Sequence, residues 1–350
     1  MSTCVITIPT APNLQHSLNN AFVQEDLSAQ GTPSGLLDFI TSPANTSGLA
    51  QEVSKNGKVY TVNLTASPRI PLSQVSSDAT QKCTSVEQFG ENVFPFTLDP
   101  AVGASVDFVV DVAELVRNNE STDTWLNKIL ASMISALERK MALDAATQLS
   151  TQYGAFRAGD TNQDGTPIVG NIKTLSSQIV GGAPDYRFIS SIQFSTIAAQ
   201  YTNNRAMLFG WDFAYQAFMA LNSGCCADSG IDLYAQAQKS GLAFMADANV
   251  GEVFGGDALL SMAVGATQLL SYNKFEGDGN IKMTETYSQY VIVSPRSGIS
   301  YDLMIKFDCG KYYLQLSKAY KFVTLPSNYC AGDPLEGVNM VNLYTIANPV

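Results

Sequence analysis

The residues that could do chemistry are few. There is one histidine, His16, among 350 residues. A histidine-based triad or a His-rich metal cluster therefore has no partner set to draw on. The six cysteines, Cys4, Cys83, Cys225, Cys226, Cys309 and Cys330, include no pair at C-x-x-C spacing. No nucleophile elbow, H-E-x-x-H, P-loop or G-x-G-x-x-G is present. Asp and Glu are scattered, and their spacing selects no carboxylate pair. One run has the form of a cation loop. Asp160-Thr-Asn162-Gln-Asp164-Gly165 matches the first half of a calcium loop, but its twelfth position is Asn171 rather than a bidentate Glu. A tight polar turn assisted by Gly165 accounts for the same residues, so Asp160, Asn162 and Asp164 are candidate metal ligands to be tested rather than an assigned site. No cofactor and no catalytic residue is expected. Asp144, one turn after Lys140, falls in line with an apolar stripe, where an ion pair, a subunit contact or a change of buried face would each fit.

Composition narrows the class. Hydrophobic residues make up 45% of the chain and charged residues only 15%, which allows a sizeable core and a largely uncharged surface. Thirty-one acidic residues against 20 basic ones give a net charge of −11, and Lys306–Lys321 interleaves its lysines with aromatics and acids. A surface built to neutralise phosphates would need clustered Lys and Arg, so a dedicated nucleic-acid patch is not expected. The N-terminus has neither a basic nor an apolar leader region, and no run is long enough to span a bilayer. The expectation is a product made in the cytosol with mostly free thiols.

The elements that must position these residues follow from periodicity. Residues 122–150 read as one uninterrupted helix, with Leu126, Ile129, Leu130, Met133, Leu137 and Met141 forming its stripe. At 1.5 Å per residue it would be roughly 43 Å long, longer than an ordinary core requires. Residues 1–45 read as a polar extended arm, and 46–98 as hairpin material with an Asn-Gly turn inside Lys55–Lys58 before the strand formers of 59–64. Val106–Val112 reads as a half-buried strand, Gly159–Gly170 as turns, and 185–190 as a short strand followed by helices over 194–201 and 211–222. Leu242–Ala246 and Leu259–Leu270 are apolar and expected to be buried, the latter as strand, helix or both. Tyr287–Ser294 and the alternating Ile299, Tyr301, Leu303, Ile305 and Phe307 read as strands around a turn at Ser294–Gly298. Gly310-Lys311 turns the chain into a strand over 312–316, and 340–346 reads as another. The fold class expected is α+β.

The order of these elements resembles a known family. The strand Val106-Asp-Phe-Val-Val-Asp-Val-Ala-Glu-Leu115 leads into the long helix ending Leu-Glu-Arg-Lys-Met-Ala-Leu-Asp-Ala-Ala at 137–146. Asp185–Ser190, Ala258–Leu270 and Ser294–Leu303 follow in order. Together they resemble the major capsid proteins of tailed bacteriophages, the Hong Kong 97-like fold. That resemblance implies an N-terminal arm at 1–45 and an extended β-hairpin loop at 46–98. It further implies a peripheral domain from 99–180 and 306–350 with its spine helix at 122–150, and an axial domain at 181–305. It implies hexamers and pentamers in an icosahedral virion shell around double-stranded DNA, with portal, scaffolding or decoration proteins as partners and neither a membrane nor catalysis. An encapsulin-like compartment and another phage structural protein are the neighbouring alternatives, and a carboxylate-based hydrolase is the most distant.

Overall fold

The structure is a computed structural model, and it describes residues 15–16, 18–19, 34–42, 50–56, 59–66, 92–99, 101–113, 122–154, 156, 159–175, 179–180, 183–184, 187–198, 205–212, 242–277, 287–324 and 341–346. Within these, helices and antiparallel strands are mixed, with two parallel pairings. The backbone of the arrangement is the helix Thr122–Leu149, 28 residues long or about 42 Å. The expected stripe is on its buried side: Leu126, Leu130, Met133, Leu137 and Met141 are all buried, and Ile129 packs against the same core. A second row, Ala131, Ile134, Ala142, Ala145, Ala146 and Leu149, is buried as well. The helix is therefore covered on more than one side, with small residues where neighbours approach closest.

Among the described residues the helices with defined bounds are, in chain order, α1 (Gly35–Thr41), α2 (Thr122–Leu149), α3 (Arg187–Ala198), α4 (Ala248–Phe254) and α5 (Lys274–Gly277). The strands are β1 (Ala50–Asn56), β2 (Val59–Ala66), β3 (Asn92–Leu98), β4 (Gly103–Asp111), β5 (Ile172–Leu175), β6 (Ile179–Val180), β7 (Ala183–Pro184), β8 (Arg205–Phe209) and β9 (Leu242–Ala246). They continue with β10 (Ala258–Ala263), β11 (Thr267–Tyr272), β12 (Tyr287–Val293), β13 (Ser300–Asp308), β14 (Lys311–Thr324) and β15 (Val341–Ile346).

One sheet is organised on β14, whose 14 residues pair with three strands. Both β4 and β13 pair with residues 311–317 of β14, so they lie on its two edges, and β11 takes residues 319–324. β12 pairs with β13. Asp308 faces Lys311 across a two-residue loop in which Cys309 and Gly310 have φ of 49° and 75°. Two successive positive φ values match the strand twist and close the hairpin tightly. At the other end, Gly103 is required: a Cβ there would lie 2.1 Å from the Lys318 carbonyl oxygen, inside the β4–β14 ladder.

The second sheet runs β5-β15-β10-β8-β9 and is buried on both faces. Leu208, Leu260, Met262 and Leu343 join the core around α2, while Met207, Leu259, Tyr344 and Ile346 pack with Phe188 and Ile192 of α3. Burial on two faces explains why Ala258–Ala263, apolar but for the buried Ser261, shows no period. A third sheet, β1-β2-β3, is antiparallel, with Asn56 opposite Val59 in the expected hairpin, whose Asn-Gly turn lies partly outside the described residues. It meets the rest through β3 against β14.

Several expectations are corrected. Residues 34–42 are not extended arm: α1 is capped by Ser34 and buries Leu36, Leu37, Phe39 and Ile40 in the main core. Residues 187–190 are helix rather than strand, because Phe188, Ile192 and Ser195 recur at helical spacing and are buried together. The 259–270 run, which the sequence leaves open between strand and helix, is two strands turning at Gly265. On β4 only Val110 is buried, while Phe108 is 41% exposed and lies beside Trp125; Phe307 at the hairpin tip is 39% exposed. Leu242–Ala246 is an edge strand with Ala243 and Ala246 exposed. β13 runs across residue 305, where the segments expected at 181–305 and 306–350 join, and β15 pairs with β5 and β10. Alternation identifies a strand but carries no information about its partner. The helix expected over 211–222 falls outside the described residues beyond Asp212.

Candidate functional site

The Asp160 run is a turn tied down by a protein cation. Lys173 of β5, 3% exposed, donates to Asp160 Oδ1 at 2.9 Å and to Ser195 Oγ of α3 at 2.7 Å. Ser195 in turn donates to Asp160 Oδ2 at 3.1 Å. Asn162 accepts from the Thr174 backbone N–H at 2.7 Å and donates to Thr166 Oγ1 and the Pro167 carbonyl. Asp164 accepts from the backbone and hydroxyl of Thr166, and these two bonds hold its carboxyl below the usual carboxylate range. Gly165 has φ of 86°, the conformation a glycine turn supplies. The three candidate residues thus direct their oxygens at groups of their own chain, and Lys173 brings positive charge to Asp160. The arrangement locks the loop to β5 and α3.

A denser cluster sits where α1, α2, α4 and the Ser294–Gly298 turn meet. Glu138 on α2 is 1% exposed. Its Oε1 accepts from Ser294 Oγ at 2.7 Å and Ser297 Oγ at 2.6 Å, and its Oε2 accepts from Arg296 Nη2. The carboxylate thereby fastens the turn between β12 and β13 to the middle of α2. Asp247, also buried, joins two helix starts: Oδ1 accepts from the backbone N–H of Asn249 and Val250, and Oδ2 from the backbone of Leu36 and the hydroxyl of Ser34. Four backbone N–H groups at a helix start lack helical partners, and one carboxylate here serves both helices. Asp38, on the same rim, has its carboxyl raised by burial, an effect Arg296 opposes. A cavity of about 330 Å³ opens beside Asp38, Glu138, Arg139, Glu252 and Arg296, with both signs of charge on its walls. Further along α2, Asp144 pairs with Lys140 at 2.6 Å and accepts from the Tyr320 hydroxyl at 2.6 Å. Its ion pair is thus present, and the same carboxylate joins α2 to β14. All of these groups hold elements together.

Asp302, buried on β13, caps α5 by accepting from the backbone N–H of Lys274 and Phe275 at 2.8 and 3.3 Å. Burial raises its carboxyl above 3.8, the two N–H groups and Lys318 opposing. The folded chain therefore holds this proton more tightly than the unfolded one. The contribution is full below pH 3.8 and is lost as pH rises through the raised value. Relative to Asp302→Asn, the wild type is expected to lose stability as pH is raised across that window. The offset from the unmatched amide stays constant, and urea midpoints at a series of pH values read the slope.

His16 is exposed on a short helical stretch and Cys309 is exposed at the hairpin tip, where its thiol donates to Asp308 and is raised by that carboxylate. The other five cysteines lie outside the described residues. Among the described residues no three His, Cys, Asp or Glu side chains group as metal ligands, and no helix is long and apolar enough to cross a membrane. Neither Glu138 nor Asp247 was singled out by sequence. The available signal for Glu138 was its i+4 spacing from Ile134 inside the apolar helix; Asp247 before Ala248 is a capping residue ahead of a helix too short to notice.

No protein-family model matches the chain, and no curated protein matches it. Solved structures do. The capsid structure of cyanophage P-SCSP1u is similar at 8% identity and a TM-score of 0.46, covering 85% of this chain and 86% of that one. A structure of Microbacterium phage Oxtober96 is similar at 10% identity and a TM-score of 0.41, covering 99% and 95%. The capsid of Ralstonia phage GP4 is similar at 12% identity and 0.40, covering 84% and 85%. These overlaps are loose, so the functional reading is drawn from the chain's own residues.

Proposed function

We propose that this chain is a structural shell protein, the major capsid protein of a tailed bacteriophage, which assembles through hexamers and pentamers into an icosahedral virion shell around double-stranded DNA. The observation that carries the reading is the combination of α2 with a separate extended sheet. A 28-residue helix backed by the β14 sheet makes a stiff body, and β1–β3 form a sheet of their own that meets it through β3. A sheet of three strands set apart from a core has most to gain by packing on another chain. The order of strand, long helix and β-rich C-terminal half supports the same family resemblance. In this reading α2 with β4 and β11–β14 is the peripheral domain, the sheet β5-β15-β10-β8-β9 is the axial domain, and β1–β3 is the extended loop. An acidic chain with dispersed lysines encloses DNA without gripping it. Among the described residues the polar clusters around Glu138, Asp247 and Asp160 tie elements to one another, which favours a structural role over an enzymatic one. Portal, scaffolding or decoration proteins would be its partners.

The test is to replace residues 50–91 with a short Gly-Ser linker. The variant is expected to keep the helical circular dichroism and cooperative unfolding of the body and to lose particle formation on sucrose gradients. Normal particles from the folded variant would overturn the role given to the extended sheet.

A further inference from the structure

The sheet carried by β14 ends at β12, which pairs with β13 alone among the described strands. The Ser294 N–H bonds the Ile299 carbonyl at 2.8 Å, so it points toward the β13 side. In an antiparallel ladder neighbouring residues alternate between the two edges, and Val293 therefore directs its own N–H and C=O to the open edge. Gln15 sits there. Its Oε1 accepts from the Val293 N–H at 2.8 Å, and its Nε2 donates to the Val293 carbonyl at 2.8 Å. Nε2 also donates to Asn19 Oδ1 at 2.9 Å, which sets the amide's orientation from one turn away. A carboxamide has the donor and acceptor of a peptide unit, so Gln15 occupies the place where the backbone of a further strand would bond. Leu18, 0% exposed, anchors the same stretch in the core.

β12 itself reads Tyr-Ser-Gln-Tyr-Val-Ile-Val. It has no Lys, no other charge, no Pro and no Gly, the features that keep an edge strand from pairing with another chain. A strand of that composition is prone to pair wherever its edge is uncovered, and being uncharged it meets its own copy without repulsion. We infer that Gln15, held by Asn19 and Leu18, is an edge cap, and that the surface it covers fits the β12 strand of a second copy paired antiparallel across a two-fold axis. Release of residues 15–19 exposes the edge, and strand addition follows through main-chain bonds. The inference stands apart from the shell reading.

Hydrogen exchange over 287–293 and sedimentation velocity across a dilution series test it on the full chain. Gln15→Ala and Gln15→Leu are expected to speed exchange at Val293 by roughly tenfold, the scale of losing a hydrogen-bonded cap. Both are also expected to form dimers at concentrations where the wild type does not. Adding Val293→Lys to Gln15→Ala is expected to keep the fast exchange and abolish the dimer, since Val293 is 41% exposed and tolerates the charge. Unchanged exchange in both single variants would overturn the cap. Fast exchange without dimers, or dimers that Val293→Lys does not suppress, would overturn the second copy's β12 as occupant. Shell formation by the unaltered chain is scored separately by microscopy, so either result can fail alone.

Discussion

Glu138→Ala is expected to lower the stability of the folded chain by about 3–5 kcal/mol, the usual cost of removing one partner from a buried charge pair. The carboxylate is 1% exposed and its partner Arg296 only 24% exposed. The substitution strands the guanidinium, leaves the Ser294 and Ser297 hydroxyls without their acceptor, and opens a void against α2. Turn 294–298 links β12 to β13, so the loss also loosens the edge of the β14 sheet. Urea melts should show a lower midpoint with an unchanged slope. Two comparisons separate charge from packing. Glu138→Gln keeps the volume and one acceptor oxygen and should cost less than Ala. Glu138→Leu combined with Arg296→Met removes both charges, and its cost should fall well below the sum of the two single changes, because neither partner is left alone. Additive costs would mean that the pair is not the fastening assigned to it.

Lys173→Met is expected to cost a similar amount, about 3–5 kcal/mol. It removes the ammonium that meets Asp160 Oδ1 and Ser195 Oγ while keeping an unbranched apolar stem beside Phe156. Asp160 then keeps Ser195 and its own turn but has no cation, in a place where its side chain is 9% exposed. Asp160→Asn in the same background removes the stranded charge and should recover part of the loss. The double variant therefore reports on the Coulombic part of the lock, read again from urea midpoints. No recovery would place the cost in packing around Phe156 rather than in the pair.

The long, strictly periodic elements were legible in the sequence. The stripe from Leu126 to Met141 marked α2 to within a residue of its end, and the alternation of Tyr301, Leu303 and Ile305 marked β13. Both rest on many residues pointing one way. Shorter elements lacked that redundancy. α1 has seven residues between Ser34 and Ser42, and its four buried apolar side chains are too few to show a period against polar surroundings. Strand pairing was not legible either. Val341–Ile346 looks like any apolar strand, and only the fold shows it between β5 and β10. The polar fastenings were hidden for a different reason. Glu138, Asp247 and Gln15 are ordinary by type and spacing, and each acquires its role from a partner 156, 211 or 278 residues away in the chain. Asp160, Asn162 and Asp164 carried a motif, and the structure shows their oxygens engaged by Lys173, Ser195, Thr166 and Thr174.

Electron microscopy of the unaltered chain, expressed alone and purified at neutral pH, asks most directly whether many copies complete one another. Closed particles of uniform diameter, with sixfold and fivefold clusters resolved on averaging and the β1–β3 sheet lying over a neighbouring subunit, are the predicted result. A homogeneous monomer or small oligomer that stays so at high concentration and with scaffolding partners supplied would contradict the account.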